Sequence, residues 1–193
     1  MSDPIRILIF AGSARKGALS KMLANAARLA VDDAEADPTL IDMKDFDAPV
    51  YDGDIEDAAG VPETILRFNA LVRDHDAMMV VTPEYNGFFP PLLKNTFDWS
   101  SRPDGHESGV HAMKHKVIGL LSTSPGPLGG IRALPRLGEC VTELQCIVAP
   151  GSVAVPRAGD AFADDGRLKD EMRAGQLAGL VKNVLSLAAG WRG

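Results

Sequence analysis

Two cysteines in 193 residues, Cys140 and Cys146, are too few for a disulfide framework. Their spacing is not C-x-x-C and no other cysteine joins them, so both read as reduced structural thiols. The chain also lacks a basic excess. Its formal charge of -6 argues against a general nucleic-acid binder, which needs a cationic face for the phosphate backbone. No stretch approaches the roughly 18 continuous apolar residues of a membrane span. The opening Met-Ser-Asp-Pro has no basic region of the kind that begins a signal peptide. A cytoplasmic protein with no membrane partner is the expectation. There is no internal repeat, low-complexity tract or linker, and the length suits one domain over residues 1–193.

What is present is an alternation of buried-type strands and amphipathic helices. Ile5–Ala11 is apolar on both faces apart from Arg6, as in a strand of a covered parallel sheet. Leu19, Met22, Leu23, Ala26, Ala27 and Ala30 then recur at helical spacing. Asp32, Asp33 and Glu35 face solvent, Pro38 closes the unit, and Thr39–Met43 reads as a second strand. The Asp-, Gly- and Pro-rich segment Lys44–Pro62 reads as a solvated loop, its acids lacking the order of an EF-hand. A helix over Glu63–Arg73, a strand over Ala77–Thr82 and a helix from Pro90-Pro91 to Trp99 follow. Ser100–Lys114 reads as a loop and Lys116–Leu121 as a strand. A helix over Ile131–Leu144 must take Pro135 in its first turn or kink there. Ile147–Val155 is a last strand region broken at Pro150-Gly151, Asp164-Asp165-Gly166 marks a turn, and Leu168–Ala189 is a closing helix. The order predicts an α/β three-layer sandwich with a doubly wound five-stranded parallel sheet, for which 2-1-3-4-5 is a common strand order.

Turns rich in Gly, Pro and Ser follow strands one, three and four, which are neighbours in that order and bring the turns to one cleft. Gly12–Ser20 runs from a strand into a helix, where unpaired N–H groups and the helix dipole favour an anion. Ser13, Arg15, Lys16 and Ser20 add polar and cationic donors. This is not a Walker A loop, because Gly12-x4-Gly17 is followed by Ala18-Leu19 rather than Lys-Ser/Thr. Nor is it G-x-G-x-x-G, a cysteine-phosphatase loop or a G-x-S-x-G elbow. The second turn, Pro83-Glu84-Tyr85-Asn86-Gly87, suits a ring edge. The third, Ser122–Gly130, lets backbone approach a planar ligand. A monophosphate carrying a flat ring fits the set, and flavin mononucleotide (FMN) is such a ligand.

Gly12-Ser13-x-Arg15-x4-Ser20, Pro83-Glu84-Tyr85-Asn86-Gly87 with Leu93-Lys94-Asn95-x-x-Asp98-Trp99, and Ser124-Pro125-Gly126-x-x-Gly129-Gly130 resemble the NADPH-dependent FMN reductase family. The resemblance runs over nearly the whole chain. It implies a flavodoxin-like fold with a five-stranded parallel sheet of order 2-1-3-4-5, tightly bound FMN, and ping-pong hydride transfer from NADPH or NADH to a quinone, free flavin or other small acceptor. It places Ser13, Arg15 and Ser20 on the phosphate, and Pro83, Glu84, Tyr85, Asn86 and Gly87 at the flavin ring with Ser124 and Gly126 on its other side. Met22 departs from the family's S-x-N helix start. A homodimer or dimer of dimers is also implied. No catalytic acid or base is nominated, because the flavin performs the hydride chemistry. The alternative is an FMN-binding electron carrier or regulatory module that takes no hydride from a nicotinamide. Lys94, Asp98 and Trp99 read as helix-face, packing or dimer residues. His106, His111 and His115 lack the carboxylate or cysteine spacing of a metal set. Arg102 and the histidine-bearing loop are candidates for the nucleotide's 2′-phosphate.

Overall fold

The computed structural model describes residues 3–105 and 110–191. Its centre is β1 (Arg6–Ala11), buried from Ile7 onward. The alternation inside this run decides the layers. Ile7, Ile9 and Ala11 face α1 (Leu19–Asp33) and α6 (Glu171–Trp191), while Leu8 and Phe10 face the opposite layer. That second layer holds α3 (Glu63–Asp74), α4 (Pro91–Ser100) and α5 (Ala133–Glu143). The strands β2 (Asp37–Ile41), β3 (Ala77–Pro83), β4 (Val117–Thr123) and β5 (Ile147–Val148) pair in the order β2-β1-β3-β4-β5, all parallel. This is the expected order.

The break at Pro150-Gly151 splits the last strand region in two. Ile147–Val148 pairs with the start of β4, and β6 (Val153–Val155) pairs with its end. Pro135 sits in the first turn of α5, where its missing N–H costs nothing.

Most elements differ from the sequence reading by one or two residues at an end, and the larger differences have local reasons. Pro38 lies inside β2, so the strand begins two residues early and ends at Ile41. β2 is an edge strand, and edges tolerate proline. Asp42 then accepts the Lys44 N–H and starts a 3-10 turn over Met43–Phe46. The supposed loop contains a further helix, α2 (Gly53–Ala59), capped by the Asp52 carboxylate and ended by Gly60 at φ +75°. None of its residues is buried, so it has no apolar stripe to read. Met22 is exposed rather than inward. The last helix begins at Glu171, because Asp170 accepts the Arg173 N–H as its cap. Leu168 instead bridges Phe162.

The ends of three strands lie level. Ala11 is opposite Val81, and Pro83 is opposite Thr123. The turns after β1, β3 and β4 therefore share one edge of the sheet. The third turn is clamped to β6, with Gly129 at φ +62° against the Val155–Pro156 backbone. A Cβ at Gly129 would stand 2.7 Å from Pro156 N. Gly129→Ala should destabilise the fold by at least about 2 kcal/mol, through strain at positive φ plus backbone overlap. A lower urea midpoint with an unchanged slope would report it, and a wild-type midpoint would contradict this packing.

Candidate functional site

The first turn is built on backbone geometry. Gly12 N–H donates to Val81 O at 2.8 Å, which carries the β1–β3 ladder one step past the strand. Ser13 is buried, and its Oγ accepts the Arg15 N–H at 3.3 Å. Gly17 turns the chain at φ +69°. α1 then starts without a cap: Ala18 offers no side-chain acceptor, and no acidic residue lies in the first turn. Ser20 is 2% exposed, yet its Oγ has no hydrogen-bond partner among the described residues. A buried hydroxyl left unmatched costs about 1–3 kcal/mol. Here it lies at an uncapped helix N-terminus, beside exposed Arg15 and Lys16. Those are the donors an anion needs, held where the helix dipole favours one.

The second turn is a two-residue hairpin. Tyr85 and Phe88 exchange backbone hydrogen bonds at 2.8 and 3.0 Å, with Asn86 at φ +53° and Gly87 at φ +80° between them. Positive φ at both central positions is the Asn-Gly preference of a type I′ turn. The turn thrusts Tyr85 and Phe88 outward, half exposed. Glu84 points the other way. Its side chain is 7% exposed and accepts from the Arg132 N–H at 3.1 Å, from Arg132 Nε at 2.7 Å and from Arg132 Nη2. The carboxylate holds the Arg132 guanidinium above its ordinary pKa. Arg136 donates to Arg132 O and lies over the Phe88 ring. Glu84 thus ties the second turn to the start of α5, directly after the third turn, and its carboxylate belongs to the scaffold.

The third turn is stapled at both ends. Ser122 Oγ donates to Gly129 O at 2.9 Å, and Thr123 Oγ1 donates to Val155 O at 2.9 Å. Arg157 N–H donates to Gly126 O, and Ala158 N–H to Ser124 O, each at 3.1 Å. Ser124 and Gly126 remain half-buried at the rim.

A cavity of ≈ 560 Å³ lies beside the second turn, with Tyr85, Phe88, Phe89, Tyr51, Val50 and Pro91 among its lining residues. It borders the second turn only, not the first or third. Its far wall is clamped to α4. Asn95 accepts the Tyr51 N–H at 2.8 Å and donates to Pro49 O, and Trp99 Nε1 donates to the same oxygen at 2.8 Å. Lys94 and Asp98 pair with each other along the helix. The Lys94–Trp99 stretch therefore positions a loop, as the helix-face and packing reading expected. Arg102 is engaged by Glu56: its Nε donates to both carboxylate oxygens at 2.9 and 2.8 Å. Those bonds, with one from Tyr51 Oη, hold the Glu56 carboxyl below the usual carboxylate range.

Ser13, Arg15 and Ser20 thus gather at one helix start, and Pro83–Gly87 and Ser124–Gly126 gather on the neighbouring strand ends. Among the described residues no group of His, Cys, Asp and Glu could hold a metal. His111 and His115 lie within them and His106 lies outside. Cys140 and Cys146 are free thiols, and burial pushes Cys146 up to about 12. No described helix is long and apolar enough to cross a membrane. The Glu84–Arg132 pair was missed as a pair, although Glu84 itself was singled out. Nothing in the spacing links residues 48 apart, and only the placement of α5 beside β3's end joins them.

The family model for NADPH-dependent FMN reductases matches residues 5–160. A quinone reductase of Pseudomonas putida is 33% identical over 178 residues, 90% of this chain and 89% of the relative. An NAD(P)H-dependent FMN reductase of Pseudomonas aeruginosa is 33% identical over 89% of this chain and 88% of its own. Among solved structures, the flavoenzyme NAD(P)H:(acceptor) oxidoreductase FerB of Paracoccus denitrificans superposes with a TM-score of 0.81. It is 27% identical and covers 96% of this chain and 98% of its own.

Removal of Arg132 tests the tie between turns. Arg132→Ala leaves a nearly buried Glu84 carboxylate without its cation and loosens the tie between the hairpin and α5. Hydrogen exchange at Tyr85 and Phe88 should speed up selectively. Unchanged protection there would show that the hairpin holds itself.

Proposed function

As a member of the NADPH-dependent FMN reductase family this chain is an FMN-dependent NAD(P)H oxidoreductase, and we propose that its three strand-end turns are the flavin site. The single observation that carries the site assignment is the unpartnered Ser20 Oγ at the uncapped start of α1. An FMN phosphate satisfies that hydroxyl, the free first-turn N–H groups and the exposed Arg15 at once, with Ser13 shaping the loop through its bond to Arg15 N–H. Pro83, Glu84, Tyr85, Asn86 and Gly87 border the ring, Glu84 through backbone while Arg132 holds its carboxylate. Ser124 and Gly126 close the other side. Exposed Met22 lies at the same helix start, where a family asparagine amide would give one more contact to the phosphate.

Bound FMN would supply the two-electron hydride chemistry of a ping-pong cycle between nicotinamide and acceptor. The protein's share is to hold and shield. The clamped third turn keeps backbone close to the ring, and the Glu84–Arg132 tie fixes the ring-edge hairpin. The cavity beside Tyr85 and Phe88 gives an apolar, aromatic approach suited to a flat quinone. Val50, 83% exposed, adds to an outward apolar face with Tyr85 and Phe88. This face suits a second copy of the chain, so we assign a homodimer or dimer of dimers. The cytoplasm is the compartment this reading favours, since its nicotinamide donors are cytoplasmic metabolites.

The reading differs from an electron carrier in one spectrum. Anaerobic NADPH should bleach the yellow flavin band of the purified protein, and a quinone should restore it. A stable semiquinone with no bleaching would favour the carrier. The phosphate assignment has its own signature in opposite signs. Ser20→Ala removes an unmatched buried hydroxyl, so the apoprotein should be no less stable, and up to about 1 kcal/mol more so. FMN affinity should nevertheless fall. Arg15→Ala should weaken FMN binding by about 1.5–3 kcal/mol through loss of a charge-assisted contact. Dissociation constants unchanged in both variants would move the phosphate elsewhere.

A further inference from the structure

Where the second substrate's own phosphate goes is not answered by the flavin turns. Arg102, the candidate from the sequence, is engaged by Glu56. Other cations are paired too: Lys21 with Asp42, Arg132 with Glu84, Arg167 with Asp33. In a chain of net charge -6 such pairing is the easy outcome. Arg157 and Lys169 escape it. Both are exposed, and neither side chain has a hydrogen bond or ion pair among the described residues.

The two line one cavity of ≈ 340 Å³ with Arg173, Pro156, Leu168 and Met172. The cavity begins at Val155, the end of β6, which lies opposite Thr123 at the end of β4. Its rim is continuous with the third turn, because Arg157 N–H donates to Gly126 O. Its other wall is the start of α6. It therefore opens at the same sheet edge as the flavin turns, on their α6 side.

Two acids share the lining, Asp160 and Asp170. Asp170 is turned to the helix, where its Oδ1 accepts the Arg173 N–H at 2.8 Å. Arg173 Nη1 also donates to Gln176. Three cations against two carboxylates leave a modest positive balance. That suits one localised anion rather than a polyanion. The apolar part of the lining, Pro156, Leu168 and the adaptable, two-thirds exposed Met172, suits a flat heterocycle. Arg157 itself stands at φ +48°, a conformation glycine adopts freely and long side chains rarely do. A guanidinium is kept at this rim despite the backbone strain.

We propose that this groove seats the phosphorylated adenosine end of NADPH, with Arg157 and Lys169 selecting NADPH over NADH through the 2′-phosphate. The assignment rests on the nicotinamide-dependent reading of the flavin site. The phosphate is a dianion that a planar Arg fork and a flexible Lys ammonium both bind well. The adenine lies over the apolar wall.

The test is calorimetric titration of the protein, with and without FMN, by 2′,5′-ADP, 5′-AMP and inorganic phosphate. The expected order places 2′,5′-ADP tightest. In an Arg157→Gly/Lys169→Ala double variant, affinity for 2′,5′-ADP should fall about ten-fold or more. KM for NADPH should rise by a similar factor, while KM for NADH and the FMN dissociation constant stay put. Glycine relaxes the strained φ at 157, so the melting temperature should not drop, and a folding defect cannot stand in for lost binding. Wild-type affinity for 2′,5′-ADP in the variant overturns the proposal. So does 2′,5′-ADP binding no tighter than 5′-AMP, or no tighter than inorganic phosphate. The parent reading fails separately, if neither NADPH nor NADH bleaches wild-type flavin, because the titration reads the groove in the apoprotein as well.

Discussion

The arrangement depends on one unfilled electrostatic demand. The first turn of α1 begins with no side-chain cap and no acid, and it buries a serine hydroxyl that no other described residue satisfies. In most helices a neighbouring side chain answers such a demand. Here β1 is buried on both faces and holds the helix start at the sheet edge, with the buried hydroxyl just behind the exposed Arg15 and Lys16 in sequence. The entropy of ordering the loop is met in folding, by the Gly12–Val81 bond and the Ser13 contacts, rather than at the moment of binding.

The other two turns are rigid for different reasons. The hairpin after β3 is set by Asn86 and Gly87 and tied sideways by Glu84 to Arg132. The turn after β4 is set by hydroxyls of Ser122 and Thr123 and by the backbone of Arg157 and Ala158. Splitting the last strand at Pro150-Gly151 makes the second possible. β6 can then run beside the end of β4 and deliver Pro156–Ala158 to the rim. Asn95 and Trp99 do the same on the opposite side by holding the Pro49–Tyr51 backbone against α4. The sheet edge that carries these turns is thus framed by contacts between segments 30 to 50 residues apart, while the helices behind it form two ordinary apolar layers.

Much of this was legible in the chain. Strand positions followed from short apolar runs, their order from the flavodoxin-like fold that the family resemblance implies, and the three turns from Gly, Pro and Ser placed where those runs stop. Ser13, Arg15 and Ser20 could be grouped because they share one local turn. What was not legible lacks either periodicity or proximity. α2 is capped by Asp52 and Gly60 but buries nothing, so no stripe marks it. Pro38 looked like a terminator because its edge position was not yet known. Met22 matched the helical stripe and still faces out, since the first turn of α1 lies at the sheet's open edge. The destinations of Glu84, Arg102 and Asn95 are set by tertiary neighbours far along the chain. A charged residue's partner is the least local fact a sequence carries.

The central claim is that the phosphate, not the ring, anchors the cofactor at the start of α1. Comparing FMN with riboflavin, which differs only by that phosphate, tests it most directly. Several charge-assisted contacts at about 1.5–3 kcal/mol each predict that FMN binds at least about a hundred-fold more tightly than riboflavin. Equal dissociation constants for the two flavins would contradict the account.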